Sequence, residues 1–287
     1  CFTPIDDIDA MLQAINFQLQ QNEQQINQRS QIKENLSKKT SFSYFFNRFL
    51  LAQGLINYQH FQQRTQNYTN LIKQSGTCLS LPETGHRRQE FIKHNRNQYQ
   101  LFNGLRHHLG WIGCALSYKD MIHRAKAQQL EYIIICEDDV EFYPEFEQHL
   151  KVVQTYLAQT TYSWHIFSGL IANLHSDTRI SHSEIFQDLE FIHINKMTSM
   201  IFNIYHHSIF DTILEWDETN TNDQTNTIDR FLENQTNLKI ITSMPFLVGH
   251  HEERNSTLWG ISNSVYSKLI EESETLLSQK LAEFKTL

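Results

Sequence analysis

The run from Glu131 to Phe142, Glu-Tyr-Ile-Ile-Ile-Cys-Glu-Asp-Asp-Val-Glu-Phe, constrains this chain more than any other. Tyr132 to Cys136 is a short, unbroken apolar stretch, β-branched at its centre. It reads as a strand buried on both faces, of the kind found inside a parallel sheet. Glu137, Asp138 and Asp139 follow at once. In such a sheet the carboxyl ends of the strands open onto the ligand crevice. Gathering three ionised carboxylates there is costly unless something neutralises them. A divalent cation does so, and it brings phosphate oxygens with it. Glu137 and Asp139, two residues apart at a strand end, are therefore candidate ligands for a metal that grips a nucleotide diphosphate. A solvated turn after the strand is the alternative, and the triplet alone leaves both open.

A chain of 287 residues accommodates one domain with a substantial appendage, or two small domains. Its net charge is −8 and it has no basic block, which argues against nucleic acid as a partner. The 15 histidines are scattered and read as surface residues. Cys1, Cys78, Cys114 and Cys136 show no CxxC spacing, so they read as reduced core residues of a cytoplasmic protein rather than a zinc site or a disulfide framework. No apolar run approaches membrane-spanning length and no signal peptide is visible. The chain opens on Cys1 without a methionine, so residues upstream are expected.

Residues 1–76 read as a helical appendage. From Asp6, the residues Ile8, Leu12, Ile15, Leu19 and Ile26 form a heptad-like apolar stripe, with Gln, Asn and Glu opposite. A break is expected at 37–41, and a second helix from about Ser41 to Lys73, crowded with aromatics at its start. Such a hairpin packs on the main domain. A dimerisation arm, an acceptor platform or a membrane-surface contact are the alternatives, the last supported only by Arg48 amid the aromatics.

From Thr77 onward the pattern is α/β. Thr77 to Leu81 is a strand, and Gly85 opens a helix that starts with Arg87 and Arg88. Two cations at a helix start oppose its dipole, so either a bound diphosphate or the acidic triplet balances them or both are simply solvated. Gly110 and Gly113 precede a helix expected over 113–128, whose first turns offer Ser117 and Lys119. Further on, a helix is expected over 145–158. A buried strand follows from Trp164 and ends at Ser168-Gly169, where a small turn can admit a sugar or simply let the strand exit. Residues 175–190 are polar and read as a mobile loop of the kind that forms an acceptor lid. Asp217 to Asn226 is an acidic, Asn-rich loop before a helix that opens with Asp229.

Arg87-Arg88, an Asn103-Gly104 turn, the Gly-Cys-Ala-Leu-Ser run at 113–117, then a helix and a strand ending in Glu137-Asp138-Asp139 resemble glycosyltransferase family 25. The family includes bacterial lipooligosaccharide galactosyltransferases. The resemblance covers about 77–259, some two-thirds of the chain, and leaves the first 76 residues outside the usual pattern. Tyr118 stands where members commonly carry His. The resemblance implies a GT-A fold with a mixed, mostly parallel sheet over 77–287. It also implies a UDP-sugar donor, galactose foremost, a saccharide acceptor such as lipooligosaccharide, and inverting transfer.

Candidate roles follow. Asp139 and Glu137 would hold Mn²⁺ or Mg²⁺, with His250 as a further ligand by analogy; an imidazole favours manganese. Arg87, Arg88, Ser117 and Lys119 would contact the diphosphate or uridine, Asp138 the ribose or sugar hydroxyls, and Ser168-Gly169 the sugar. Thr198 and Ser199 weakly resemble positions facing the donor. Inverting transfer needs a carboxylate to take the acceptor proton, with Asp229 the first choice and Asp223 the second; an ordinary helix start explains Asp229 equally well. A cytoplasmic enzyme, at most peripheral to the inner membrane and paired through its helices, is the expected setting. The rivals are a metal-dependent phosphohydrolase and a non-catalytic saccharide-binding descendant of the fold.

Overall fold

The computed structural model describes residues 42–66, 72–95, 99–251 and 262–286. The expected helix from Asp6, the polar tract at 20–31, Cys1 and the segment 256–260 lie outside them.

The second expected helix is two. Helix α1 (Phe42–Ala52) ends before Gly54, whose φ of +66° is left-handed and suits glycine, and α2 (Tyr58–Thr65) begins where the Asn57 side chain accepts the His60 amide. Tyr44, Leu51, Tyr58 and Phe61 are buried in the same core as the sheet. Arg48, also buried, pins α1 down. Its Nε donates to the Gly104 carbonyl at 2.7 Å and its Nη2 to Glu83 at 2.8 Å.

The chain then runs β1 (Thr77–Ser80), α3 (Gly85–His94), β2 (Gln100–Asn103), α4 (Gly110–Ala127), β3 (Tyr132–Glu137), β4 (Val140–Phe142) and α5 (Phe146–Gln159). Next come β5 (Ile166–Ser168), β6 (Ile180–Phe186), β7 (Leu189–Ile194), β8 (Phe202–His206), a 3₁₀ turn and α6 (Phe210–Leu214). The remainder is α7 (Asp223–Asn226), α8 (Ile228–Glu233), β9 (Ile240–Met244), β10 (Val248–His250) and α9 (Ser264–Lys285).

Eight strands form one sheet in the order β2-β1-β3-β8-β5-β9-β7-β6. The pairings are mixed, and following their directions across the sheet leaves only β8 and β7 running against the other six. This is the mixed α/β class expected from sequence. Strand β3 lies inside the sheet between β1 and β8, with Ile133, Ile134, Ile135 and Cys136 fully buried. Each such isoleucine stabilises the fold by roughly 1.5–3 kcal/mol. Cys78 sits opposite Cys136 on the neighbouring strand, and the described cysteines are free thiols.

A second, two-stranded sheet pairs β4 with β10 antiparallel and sets His250 beside Val140. It carries the chain from the acidic triplet back against itself. Of the polar segment 175–190 only 175–179 is loop: 180–194 is the β6–β7 hairpin at the sheet edge, turned at Gln187, whose φ is +56°. An edge strand shows one face to water, so its polar residues mimic loop composition. Helix α4 starts three residues earlier than expected, at Gly110. No described helix is long and apolar enough to cross a membrane.

Candidate active site

The parallel register of β1 with β3 sets Leu79 beside Glu137, so the ends of the two strands open together. A cavity of about 380 Å³ lies beyond them. Arg87, Ser117, Glu137, Asp138, Asp139, Asp223, Asp229 and His250 all reach its wall. These predicted residues come from six separate stretches of chain.

The acidic triplet is closely knit. Asp138 accepts from Ser80 Oγ at 2.7 Å and from Arg87 Nε at 2.9 Å. Arg87 Nη2 is also 2.9 Å from Asp139 Oδ2. Asp139 Oδ2 accepts further from Asn263 Nδ2 at 3.0 Å and lies 3.5 Å from His250 Nε2. Burial works against the Asp139 charge, but the hydrogen bond from His250 and the positive charge of Arg87 outweigh it and hold the carboxyl well below the usual range. Glu137 goes the other way: burial first, then the neighbouring Asp139 charge, push its carboxyl well above the usual range. The three carboxylates thus share one guanidinium, and burial with mutual repulsion disfavours the charge on Glu137.

Two polar atoms here are left over. Asp139 Oδ1 and His250 Nδ1 are buried and make no hydrogen bond among the described residues. An unsatisfied buried group costs about 1–3 kcal/mol, so such atoms call for a partner. A carboxylate oxygen and an imidazole nitrogen are a donor set that suits a divalent cation. Both atoms are candidate ligands for the metal that the sequence implies, but among the described residues Glu137, Asp139 and His250 do not bring three ligand atoms within 4.8 Å of one another.

The opposite wall is built from the acidic loop. Trp216 is fully buried and donates its Nε1 to the Asn226 carbonyl at 2.7 Å. Asn226 Nδ2 in turn donates to the carbonyls of Asp217 (2.8 Å) and Asn220 (2.7 Å). That staple presents Asp223 on α7 and Asp229 on α8 to the cavity, both half-buried. The Asp229 charge is felt at Glu137, where it opposes ionisation. Arg230, which the sequence reading missed, joins this wall, with its Nη1 2.8 Å from Glu233 Oε2 and 3.1 Å from His175 Nε2.

Four predicted residues do not reach the cavity. Arg88 donates to Asn103 Oδ1 at 2.7 Å, one helical step of about 100° away from Arg87. Lys119 donates to the Trp216 carbonyl at 2.7 Å, so it holds the base of the acidic loop. Ser168 donates to the Leu170 carbonyl at 2.8 Å. Gly169 packs so closely on Phe202 that a Cβ would come within 2.7 Å of the ring, and its backbone bonds Phe202 and Leu247. The Ser168-Gly169 turn is therefore the strand's exit.

Ser117 lines the cavity but is fully employed, taking the Leu105 amide (2.7 Å) and donating to the Gly113 carbonyl (2.6 Å). Gly113 lets the 105–107 segment lie on the helix, since a Cβ there would sit 2.9 Å from backbone atoms of Leu105 and His107. Tyr118, the departure from the family pattern, is buried and donates to the Met200 carbonyl at 3.0 Å, bracing the segment that carries Thr198 and Ser199. Asn263, just before α9, and Tyr266 and Leu269 in its first turns also line the cavity.

The model of a family described as Glycosyltransferase family 25 (LPS biosynthesis protein) matches residues 11–209. The match begins inside the N-terminal region that the motif pattern had set aside. No curated protein sequence matches the chain.

Proposed function

The chain belongs to glycosyltransferase family 25, the LPS biosynthesis proteins, and from that premise we propose that its cavity takes a UDP-hexose and transfers the hexose to a saccharide acceptor. Galactose is the sugar and a lipooligosaccharide the acceptor in this reading. The fold is of GT-A type, and the transfer inverts the configuration at C1. The enzyme works in the cytoplasm, where acceptors anchored in the inner membrane are reached from the membrane surface.

The observation that carries the reading is the pair of orphaned buried atoms, Asp139 Oδ1 and His250 Nδ1, at the mouth of the strand that ends in the acidic triplet. Asp139, Glu137 and His250 would hold a divalent cation, Mn²⁺ before Mg²⁺, which supplies positive charge to the diphosphate leaving group. Arg87 turns from Asp138 and Asp139 to the diphosphate. Asp138, with one oxygen on Ser80 and the other on Arg87, aims that guanidinium. Asp229 takes the proton of the acceptor hydroxyl as its oxygen bonds to C1 and the C1–O bond to UDP breaks. Asp223 stands beside it as the second carboxylate.

A turnover assay with UDP-hexoses, acceptor and Mn²⁺ tests this. UDP release that needs both acceptor and metal supports transfer. Phosphate release from simple esters would point to a hydrolase instead, and donor binding without turnover to a scaffold. Undiminished turnover by Asp139→Asn would overturn the assignment of the cavity.

A further inference from the structure

The β6–β7 hairpin carries three chemistry-bearing side chains that the cavity does not use. His182 pairs directly with His193 across the two strands, and Glu184 is two residues along from His182. Side chains two apart on a strand share a face, and directly opposed residues share it too. The register therefore gathers two imidazoles and one carboxylate on one face, and a bulge between Ile180 and His182 adjusts the aim of His182.

Their ligand atoms all lie within 4.8 Å of one another, and theirs is the one group of three among the described residues to do so. His182 Nε2 is 3.4 Å from Glu184 Oε1. Bonds of about 2.1 Å to a tetrahedral ion imply ligand–ligand edges of about 3.4 Å. His182 Nε2 is buried and makes no hydrogen bond among the described residues.

A surrounding shell is also in place. Tyr156 Oη, from α5, lies 2.7 Å from Glu184 Oε1 and 2.8 Å from His193 Nε2, and so orients both. The Tyr162 ring stacks on His182 at 4.3 Å and meets His193 edge-on at 5.0 Å. Glu184 is 42% exposed, which leaves a path for an ion to enter. Hydrogen bonds that orient metal ligands of this kind are a usual part of a working site.

We propose that His182, Glu184 and His193 form a zinc-binding site that cross-braces the edge hairpin, separate from the sugar-transfer cavity and sharing no residue with it. Two imidazoles and one carboxylate are a zinc donor set, and water completes the four ligands. The same set is poorly suited to Mg²⁺, which prefers oxygen. A bound ion would satisfy His182 Nε2.

The test uses the full chain carrying Asp139→Asn, so that the cavity does not contribute. Equilibrium dialysis against Zn²⁺ should return one ion per chain, and Co²⁺ should give the strong visible absorption of a tetrahedral site. Adding His182→Ala or Glu184→Gln, both at partly exposed positions, should weaken Zn²⁺ binding at least 10-fold without altering the melting temperature of the metal-free protein. Zinc should raise the melting temperature of the parent and not of those variants. Absence of zinc binding by the parent, or equal binding by the variants, would overturn the proposal. Activity of the otherwise unaltered enzyme with UDP-hexose is a separate readout, so failure here leaves the sugar-transfer reading standing.

Discussion

Arg87 Nη2 lies 2.9 Å from Asp139 Oδ2 while the same guanidinium holds Asp138, so one cation spans two carboxylates at the end of β3. A positive charge already stands where a metal and a diphosphate would bring charges of their own. Arg87→Ala should therefore do more than remove a contact, because it leaves Asp138 and Asp139 unbalanced. Loss of a hydrogen bond between charged groups costs about 1.5–3 kcal/mol, or about 10- to 100-fold. We expect kcat/KM for the donor to fall by about that factor. Arg87→Lys should recover part of the loss, since it restores the charge without the fork. Steady-state kinetics with varied donor checks this, and unchanged kinetics for Arg87→Ala would remove Arg87 from the site.

Asp229 and Asp223 offer a sharper division. A general base contributes about 10²- to 10⁴-fold to the rate. Asp229→Asn should lower kcat within that range while donor binding, read by thermal shift with UDP and Mn²⁺, stays the same. Asp223→Asn should cost much less. A larger loss for Asp223→Asn would exchange the two roles.

The acidic loop depends on Asn226, whose amide nitrogen ties the carbonyls of Asp217 and Asn220. Asn226→Ala strands both acceptors, at about 1–3 kcal/mol. The melting temperature should drop by several degrees, and kcat should fall with it because Asp223 and Asp229 lose their fixed mounting. Lys119→Met should show a milder form of the same behaviour, with KM for the donor unchanged, since Lys119 grips the Trp216 carbonyl and not the cavity.

The Arg48–Glu83 pair ties α1 to the domain and gives stability a dependence on acid. Burial raises the Glu83 carboxyl, but the Arg48 hydrogen bond and charge outweigh that and lower it below its ordinary value of 4.5. A depressed carboxyl contributes stability above its unfolded pKa and loses it as pH falls through the folded one. Glu83 is partly exposed, which reduces the effect below that of a fully buried pair. Glu83→Gln should cost on the order of 2 kcal/mol at pH 7 and progressively less as the pH falls below about 4. Urea melts of both proteins across that range check the sign. A cost that grew towards acid would refute it.

What the sequence disclosed follows physical lines. Strand β3 was legible because three adjacent isoleucines bounded by charge admit little else. The paired glycines before Ser117 flagged a close backbone approach, and Gly113 makes one. Arg88 and Lys119 misled for a geometric reason. Each lies one or two helical steps from a residue that faces the cavity, Arg87 and Ser117, and about 100° or 200° of rotation takes it elsewhere. Hairpin β6–β7 was hidden by its own position, because an edge strand with a wet face has the composition of a loop. Asn263 and Arg230 carried no local signal at all. Asn263 meets Asp139 across 124 positions of chain, and only the folded packing of α9 against β10 brings them together.

The short β4–β10 pairing makes His250 and Asp139 parts of one rigid ribbon, since His250 is registered on Val140, the residue next to Asp139. The carboxylates Asp223 and Asp229 stand on a different footing, two short helices slung from the indole of Trp216. On the proposed roles, a lineage can rebuild that sling, altering which sugar chain is greeted at the rim, while the ribbon beneath goes on handling the same departing nucleotide.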